Sequence, residues 1–330
     1  MREVAQLAGV AMSSVSRVLS SHPDVSPAMQ ARVLAAVAEL GYQPDLLAQS
    51  LRRQETMTIG FAVGDISNPL FAEIVAAAET RLRAAGYSML LTNSEASPEL
   101  DAAHIRLLAQ RRVDGIILSV SDEQNADTLA ALERLDVPVV ILDRDVPVPG
   151  AVNVFTDHRR GMREAVAHLL DLGHREIAMI NGPPIHPVKE RRAALEACYA
   201  ERGLPQTYRF VDGSFAVDFG ARAAGELLSL PEPPTAIIAG GNQLMIGSLK
   251  VLHARGVVLG RDVSFVGCDD IPISELYEPP IAVVRRDTAA IGTSAAELML
   301  ALLGDAETVE DVVLPSEFVA RASCGPVPRS

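Results

Sequence analysis

The side chains best suited to chemistry in this sequence are acids, amides and guanidinium groups that directly follow short apolar runs. They are Asp65, Asn68, Asp143, Arg144, Asn181, Asn242, Asp269 and Asp270. Carboxylate oxygens accept hydrogen bonds while amide and guanidinium groups donate them, so these residues could hold a polar ligand. Each acid could instead cap a helix, a position that Asp and Asn favour, or form a salt bridge. No nucleophile lies beside a candidate base, and no phosphate-loop or metal-binding histidine motif is present, so we expect no enzyme, cofactor or metal site.

A second group of chemically useful side chains lies near the N-terminus. The apolar spacing of residues 2–20 predicts two short helices joined by a turn at Gly9, the pattern of a helix-turn-helix. The predicted buried positions are Val4, Leu7 and Ala8 in the first helix and Val15, Val18 and Leu19 in the second. The predicted DNA contacts on the second helix are Met12, Ser13, Ser14, Ser16 and Arg17. Arginine can donate two hydrogen bonds to guanine, and serine can bind bases or phosphate. The alternative is a surface helical hairpin of an enzyme.

A third helix is predicted after these two. Ser26 is suited to cap it, Pro27 to begin it and Gly41 to end it. Its buried face is predicted to carry Val33, Val37 and Leu40. The sequence therefore predicts an all-α head of three helices over residues 1–44.

Three motifs in this head carry a family resemblance. They are V-A-x-x-A-G-V at residues 4–10, V-S-R-V-L at residues 15–19 and E-L-G-Y-x-P at residues 39–44. In this order they closely resemble the lactose-repressor and galactose-repressor family of bacterial transcription regulators, and the resemblance covers nearly the whole chain. It implies a homodimer that binds an imperfect palindromic DNA operator, usually as a repressor, under allosteric control by a small molecule.

Three positions depart from the family pattern. Ala11 stands where the family usually has a serine that caps the second helix, and Asp45 stands where it usually has an asparagine. Gln243 replaces the aspartate that commonly follows the family's asparagine, which here is Asn242. The lost cap is expected to cost about 0.5–2 kcal/mol unless Ser13 or Ser14 substitutes.

The head carries no net charge. Residues 1–55 contain five arginines and five acids, so the remainder carries the whole net charge of −13. Domains that bind nucleic acid usually have a basic surface. The predicted DNA binding therefore depends on helix geometry, on dimerisation and on a few arginines, and we expect a modest salt dependence.

Residues 45–57 form a short amphipathic stretch with a charged end. From the residues alone it could be a plain linker. The family resemblance implies a hinge helix that is ordered when two copies meet in the DNA minor groove. Leu51 matches the leucine that inserts between base pairs, and Ala48 beside it allows close approach. An apolar wedge of this kind kinks DNA.

Length and composition indicate a chain with a large core. Its 330 residues are 48% hydrophobic and 22% charged, enough for more than one domain. No run of about 18 apolar residues and no signal-peptide pattern is found, so we expect a cytoplasmic protein. The lack of a signal-peptide pattern also disfavours the main alternative function, an exported sugar receptor that shares the fold of this family's core. The cysteines, Cys198, Cys268 and Cys324, are expected to be reduced thiols.

From residue 58 onward the pattern alternates between strands and helices. Predicted strands lie at residues 58–63, 87–92, 115–120, 138–142, 176–181, 210–212, 235–239 and 263–268. This predicts an α/β core, residues 58–330, of two doubly wound parallel-sheet lobes. The resemblance implies the type I periplasmic-binding-protein-like fold. Lobe 1 is expected at about 58–157 plus 288–318, and lobe 2 at about 158–287 plus the C-terminal end.

In open parallel sheets, ligands bind beyond the carboxyl ends of the strands. The family's effector contacts match Phe71, Asp157, Arg191, Phe215, Asn242 and Asp269, with Arg144 as a further candidate. The phenylalanines could stack on a ring or could instead belong to the core. The polar groups could hold adjacent hydroxyls in pairs. We expect a neutral carbohydrate as effector. A purine or nucleoside and a sugar phosphate remain as alternatives.

Overall fold

The computed structural model describes residues 1–19, 24–42, 55–304 and 308–327. The chain separates into two compact units, Met1–Met57 and Thr58–Ser330. The expected minor-groove contacts Ala48 and Leu51 lie outside the described residues. No helix within those ranges is both long and apolar enough to span a membrane.

The first unit contains three short helices, α1 (Arg2–Ala8), α2 (Met12–Leu19) and α3 (Pro27–Glu39). Gly9 ends α1 with a left-handed backbone, φ 62°, which glycine adopts without steric cost. Val4, Val15 and Val33 are fully buried at the centre of the three helices. Leu7, predicted to be buried, is instead 47% exposed. Its place on the buried face of α1 is taken by Ala5.

The ends of α3 follow the predicted chemistry. The Ser26 side chain accepts a hydrogen bond from the Met29 amide at 3.3 Å, and Pro27 begins the helix. Leu40 is the C-cap, and Gly41 follows with φ 55°. Leu40 was predicted to be buried but is 43% exposed, because the helix ends before it.

The second unit consists of two α/β lobes. The first lobe contains β1 (Thr58–Val63), α4 (Pro69–Ala84), β2 (Ser88–Asn93), α5 (Pro98–Gln110), β3 (Gly115–Leu118), α6 (Ala126–Leu132), β4 (Val139–Leu142) and β5 (Val152–Asp157). The second contains α7 (His158–Asp171), β6 (Ile177–Asn181), α8 (His186–Glu201), β7 (Arg209–Asp212), α9 (Val217–Leu227), β8 (Ala236–Ala239), α10 (Asn242–Ala254), β9 (Ser264–Cys268), α11 (Pro272–Leu276) and β10 (Ala282–Arg286). The chain then continues through α12 (Thr288–Leu303) and β11 (Val312–Val319).

The strands form one continuous order, β2-β1-β3-β4-β5-β11-β10-β9-β8-β6-β7. Strand β11 connects the lobes, because residues 312–315 pair in parallel with β5 and residues 316–319 pair antiparallel with β10. The predicted α/β fold of two doubly wound lobes is confirmed. The antiparallel β10–β11 pair and the three strands β5, β10 and β11 were not predicted.

The chain passes between the lobes three times, near residues 157–158, 286–288 and 315–316. As a result, α12 returns to the first lobe and packs against its sheet. Ile291 and Met299 of α12 belong to the same core as Ile59 and Phe61 of β1. Met299 sits against Gly115 of β3, where an added Cβ would come within 2.3 Å of its sulfur. The first lobe is therefore completed by residues that come near the end of the chain.

Candidate functional site

A cavity of about 680 Å³ lies between the carboxyl ends of the strands of the two lobes. Its wall includes residues that follow six strands: Asp65 after β1, Ser119 after β3, Asp143 after β4, Pro183 after β6, Gly240 after β8 and Asp269 after β9. This is the position at which ligands bind in open parallel sheets.

Most of the predicted effector contacts meet in this cavity. Phe71, Arg144, Arg191, Phe215, Asn242 and Asp269 all line it. Asp157 does not belong to the cavity wall. Its carboxylate caps α7 by accepting a hydrogen bond from the Arg160 amide at 3.1 Å, and its carbonyl oxygen accepts one from the Ser316 hydroxyl. The structure therefore gives Asp157 a capping position where β5 ends.

Two buried acids, one from each lobe, form the floor of the cavity with Arg286. The Arg286 guanidinium donates to Asp269 Oδ1 at 2.9 Å through Nε, and to Asp143 Oδ2 through Nη1. Burial alone would raise the pKa of both acids. For Asp143 the His158 and Arg286 contacts outweigh burial, and for Asp269 the charges of Arg286 and Arg191 do so, which holds both pKa values below the usual range. The floor is a buried network of ionised groups.

His158 connects this floor to Arg191. Its Nδ1 lies 3.2 Å from Arg191 Nη2, and its Nε2 lies 2.9 Å from Asp143 Oδ2. A guanidinium can only donate, so Nδ1 is the acceptor and Nε2 carries the proton donated to Asp143. Burial, together with the nearby charge of Arg191, lowers the pKa of His158 to about 4 despite the attraction of Asp143. The ring is therefore neutral near pH 7.

Several polar atoms beside the cavity remain unsatisfied. Arg191 donates from Nη1 to the Gly240 carbonyl at 2.7 Å. Its Nε, like the hydroxyls of Ser119 and Ser121, is buried without a hydrogen-bond partner in the described part of the chain. Unpaired buried polar groups cost about 1–3 kcal/mol each, so a ligand or ordered water that supplied partners would bind favourably.

Each lobe contributes an aromatic ring to the cavity. Phe71 comes from α4 in the first lobe, and Phe215 comes from the loop before α9 in the second. The Phe215 ring lies directly on the backbone of Gly182 and Gly241, where an added Cβ would approach it to 2.4 and 3.1 Å. Glycine at these two positions lets the ring pack directly on the backbone, which places an apolar group in the cavity wall.

Two further side-chain hydrogen bonds join the lobes at the cavity wall. Asn242 Nδ2 donates to Asn68 Oδ1, and Gln243 Nε2 donates to Asp65 Oδ2, both at 2.7 Å. Asn68 also caps α4 by accepting from the Leu70 amide at 3.0 Å. Burial would raise the pKa of Asp65, but hydrogen bonds from Ser67 and Gln243 lower it overall. Gln243, a departure from the family pattern, thus binds across the cleft.

Sequence reasoning missed three members of the cavity network. Asp143 was recognised as a strand-end acid, but it was not among the predicted contacts. The available signal was its place after β4, which matches that of Asp269 after β9. His158 follows a strand that was not predicted, and Arg286 ends another. Neither had a local pattern pointing to the site.

In the first unit, the outward face of α2 carries the predicted DNA-reading residues. Met12, Ser13 and Arg17 are exposed, whereas Ser14 and Ser16 are half-buried. Val15 and Val18 face the core. The spacing of these two valines therefore orients the helix as expected, with short polar and cationic groups on one accessible face.

Two family models match the chain over separate regions. Residues 1–45 match the family described as bacterial regulatory proteins, lacI family. Residues 56–322 match the family described as periplasmic binding proteins and sugar binding domain of LacI family. The two matches together cover both compact units.

Proteins similar to this chain match it over almost its full length. An HTH-type transcriptional repressor PurR of Photobacterium profundum is 30% identical over 307 residues, which is 92% of each chain. The structure of the Lac repressor dimer bound to operator and the anti-inducer ONPF has a TM-score of 0.86 at 28% identity, covering 97% of each chain. A complex of the transcriptional regulator CelR with cellobiose has a TM-score of 0.72 at 31% identity, covering 97% of this chain and 98% of that one.

Proposed function

Because the chain belongs to the lacI family of bacterial regulatory proteins, we propose that a carbohydrate effector, bound between its lobes, controls its affinity for operator DNA. The chain is a DNA-binding transcriptional repressor and not an enzyme. Its partners are operator DNA, a small-molecule effector and a second copy of itself. The proposed domains are residues 1–44 for DNA binding, 45–57 for the hinge and 58–330 for the effector and the dimer.

The DNA contacts proposed are Met12, Ser13, Ser14, Ser16 and Arg17, together with the minor-groove residues Ala48 and Leu51. The exposure of Met12, Ser13 and Arg17 on α2 supports the first group. One such helix per chain fits one half of an imperfect palindrome, since each half-site takes one recognition helix.

The effector proposal rests on a single observation: both lobes contribute an aromatic ring and hydrogen-bonding groups to one cavity. Phe71 and Phe215 can stack on the C–H face of a sugar ring, while Asp269, Arg191 and Asn242 can hold its hydroxyls. We propose these five residues and Arg144 as effector contacts. Similar proteins have been solved with carbohydrates bound, namely cellobiose and ribose.

A purine or nucleoside is the second candidate. Two aromatic faces suit a planar base as well as a sugar, and an acid and an arginine can bind its polar edge. Similarity to repressors named PurR favours this candidate.

The proposed coupling follows from the lobes. A ligand that binds one arrangement of the lobes more tightly than another shifts the equilibrium between them. If operator DNA also prefers one arrangement, the two ligands are coupled by about 1–3 kcal/mol, and each changes the affinity of the other equally.

A binding panel tests the effector class. Thermal unfolding of the full chain would be followed with monosaccharides, disaccharides, polyols, purine bases, nucleosides and sugar phosphates. A rise in Tm with a sugar, abolished by Asp269→Ala, supports the carbohydrate. A rise with purines alone would support the second candidate instead. Operator affinity is then measured by anisotropy with a duplex selected from a random pool, with and without the stabilising compound.

A further inference from the structure

Glu123 is a buried carboxylate that joins the two lobes beside the cavity. It lies in the loop after β3 of the first lobe and is only 2% exposed. Its Oε1 accepts hydrogen bonds from the Asp145 amide of the same lobe at 3.2 Å and from the His186 amide of the second lobe at 2.6 Å. Its Oε2 accepts from Lys189 Nζ at 2.7 Å. Two of these donors belong to α8.

The start of α8 needs this partner. Its N-cap, Ile185, makes no side-chain capping hydrogen bond, and Pro187 has no N–H. The amides of Val188 and Lys189 are satisfied by the Ile185 carbonyl at 2.9 and 3.1 Å. The remaining donor of the first turn, the His186 amide, is bound by Glu123. A carboxylate is favourable there because the N-terminal end of a helix carries partial positive charge. Helix α8 is thus capped by a residue of the other lobe.

The same helix forms part of the cavity wall. Ile185 and Pro187 at its start and Arg191 in its second turn all line the cavity. Separation of the lobes would remove the His186 and Lys189 donors from Glu123. It would also leave the first turn of α8 uncapped. Loss of the Glu123 contacts would therefore release the end of α8 that lines the cavity.

We propose that Glu123 is an interlobe latch, which favours the closed arrangement of the lobes, meaning the one seen in this structure, by capping α8 and pairing with Lys189. Its action on the lobes is independent of any effector. Only its consequence for operator binding rests on the proposed function. Glu123 is a positioning residue, since it acts through α8 and does not line the cavity.

The test measures the distance between the lobes. Spin labels are attached to cysteines introduced at two exposed sites, Ala103 on α5 and Glu226 on α9. The labelled chain also carries Cys324→Ser. Glu123→Ala is expected to add a population at longer distance in pulsed electron resonance. Glu123→Gln retains an acceptor for His186 and should have a smaller effect. Glu201→Gln is the matched control, because Glu201 is also on α8 but pairs with Arg163 inside the second lobe at 2.7 Å.

Hydrogen exchange gives a second readout at the latch itself. The His186 amide should exchange about tenfold faster in Glu123→Ala, since it loses its acceptor, and near the wild-type rate in Glu123→Gln. Lys189→Met tests the ion pair from the half-exposed side if Glu123→Ala does not fold. An unchanged distance distribution and unchanged His186 exchange in the folded variants would overturn the latch. If the distances shift while operator affinity stays constant, the latch stands and the proposed coupling to DNA is wrong.

Discussion

Asp143 and Asp269 hold equivalent places in the two lobes and bind the same guanidinium. Each directly follows a strand of its lobe, β4 or β9, and each has a left-handed backbone, with φ of 53° and 69°. The backbone amide of each aspartate donates a hydrogen bond to a carbonyl oxygen of the neighbouring strand, at 2.9 Å in both lobes. Non-glycine residues in this conformation cost about 1–3 kcal/mol and persist where the surroundings impose them. Arg286 thus holds two strained strand ends together at the floor of the cleft.

Removal of Arg286 is expected to destabilise the fold strongly. Arg286→Met leaves two buried carboxylates without their cation, which typically costs about 3–5 kcal/mol. The adjacent Arg285 pairs with Glu317, but both side chains are about half exposed. Arg285→Met should therefore cost about 0–1 kcal/mol. Urea unfolding at neutral pH compares the two variants, and equal losses would contradict the role given to Arg286.

The stability of the chain is expected to fall as the pH falls from 6.5 to about 4, because of His158. Unfolded His158 binds a proton below its ordinary pKa of 6.5, whereas the folded residue stays neutral until about 4. The unfolded state therefore binds more protons in this window and is favoured as the pH falls. His158→Asn should flatten the slope of unfolding free energy against pH. A variant with the wild-type slope would show that another group titrates. The stabilising effect of ionised Asp143 and Asp269 is lost only at lower pH, since their pKa values are depressed.

A single added methyl group should damage the effector site. In Gly182→Ala the new Cβ would lie 2.4 Å from the Phe215 ring, so the ring must leave its place on the backbone. We expect about tenfold weaker binding of whichever panel compound stabilises the wild-type chain. Gly225→Ala in α9 is the control, since its Cβ would meet no atom closer than 3.3 Å. Titration calorimetry measures ligand binding by both variants. Tight binding by Gly182→Ala would show that Phe215 is not part of the effector site.

Restoring the family's usual residue at position 243 should weaken the closed cleft. Gln243 donates to Asp65 across the lobes, but Gln243→Asp places a second carboxylate there. Two carboxylates that face each other across the cleft repel, so closure is expected to weaken at neutral pH and to recover as the acids become protonated. Gln243→Ala removes the hydrogen bond without adding charge and should give a smaller, pH-independent effect. The spin labels on the two lobes measure the change in the distance between the lobes. Identical distances and pH dependence in the two variants would contradict the expected repulsion.

Arg17 is expected to read a base in each half-site. Arg17→Ala should cost about 1–3 kcal/mol in operator affinity and relax base preference at one position per half-site. Arg32, exposed on α3, is the control, because it is not among the proposed DNA contacts and Arg32→Ala should leave base preference unchanged. Anisotropy with matched and single-mismatch duplexes separates the two outcomes. A uniform loss for Arg17→Ala would indicate contact with phosphate only.

Much of the fold followed from local pattern, but the connections between the lobes did not. The eight predicted strands are short apolar runs bounded by helix signals. Strand β11 was missed because Pro315 lies within it, and proline argues against a central strand. In the structure, Pro315 stands where pairing passes from β5 to β10. The change of partner lets a proline occur where an uninterrupted ladder would exclude it.

From the sequence, the site could be predicted only one residue at a time, from the position of each residue in the chain. Phe71, Phe215 and Asp269 were found because they follow strands or match a family position. The pairing of Arg286 with Asp143 was not, since it depends on which strands become neighbours across the lobes. Asp157 was assigned to the cavity by resemblance, and its capping of α7 could be distinguished only in three dimensions.

The packing of Met299 on Gly115 has a consequence for biosynthesis. Strand β3 leaves the ribosome long before α12 does, and the first lobe cannot close its core until α12 arrives. At about 5–20 residues per second, the wait is on the order of ten seconds or more. During that time α4 already packs on this core, but the apolar surface of β3 and β4 that α12 covers in the finished chain stays open. The nascent chain therefore offers a binding surface for chaperones that the finished repressor lacks.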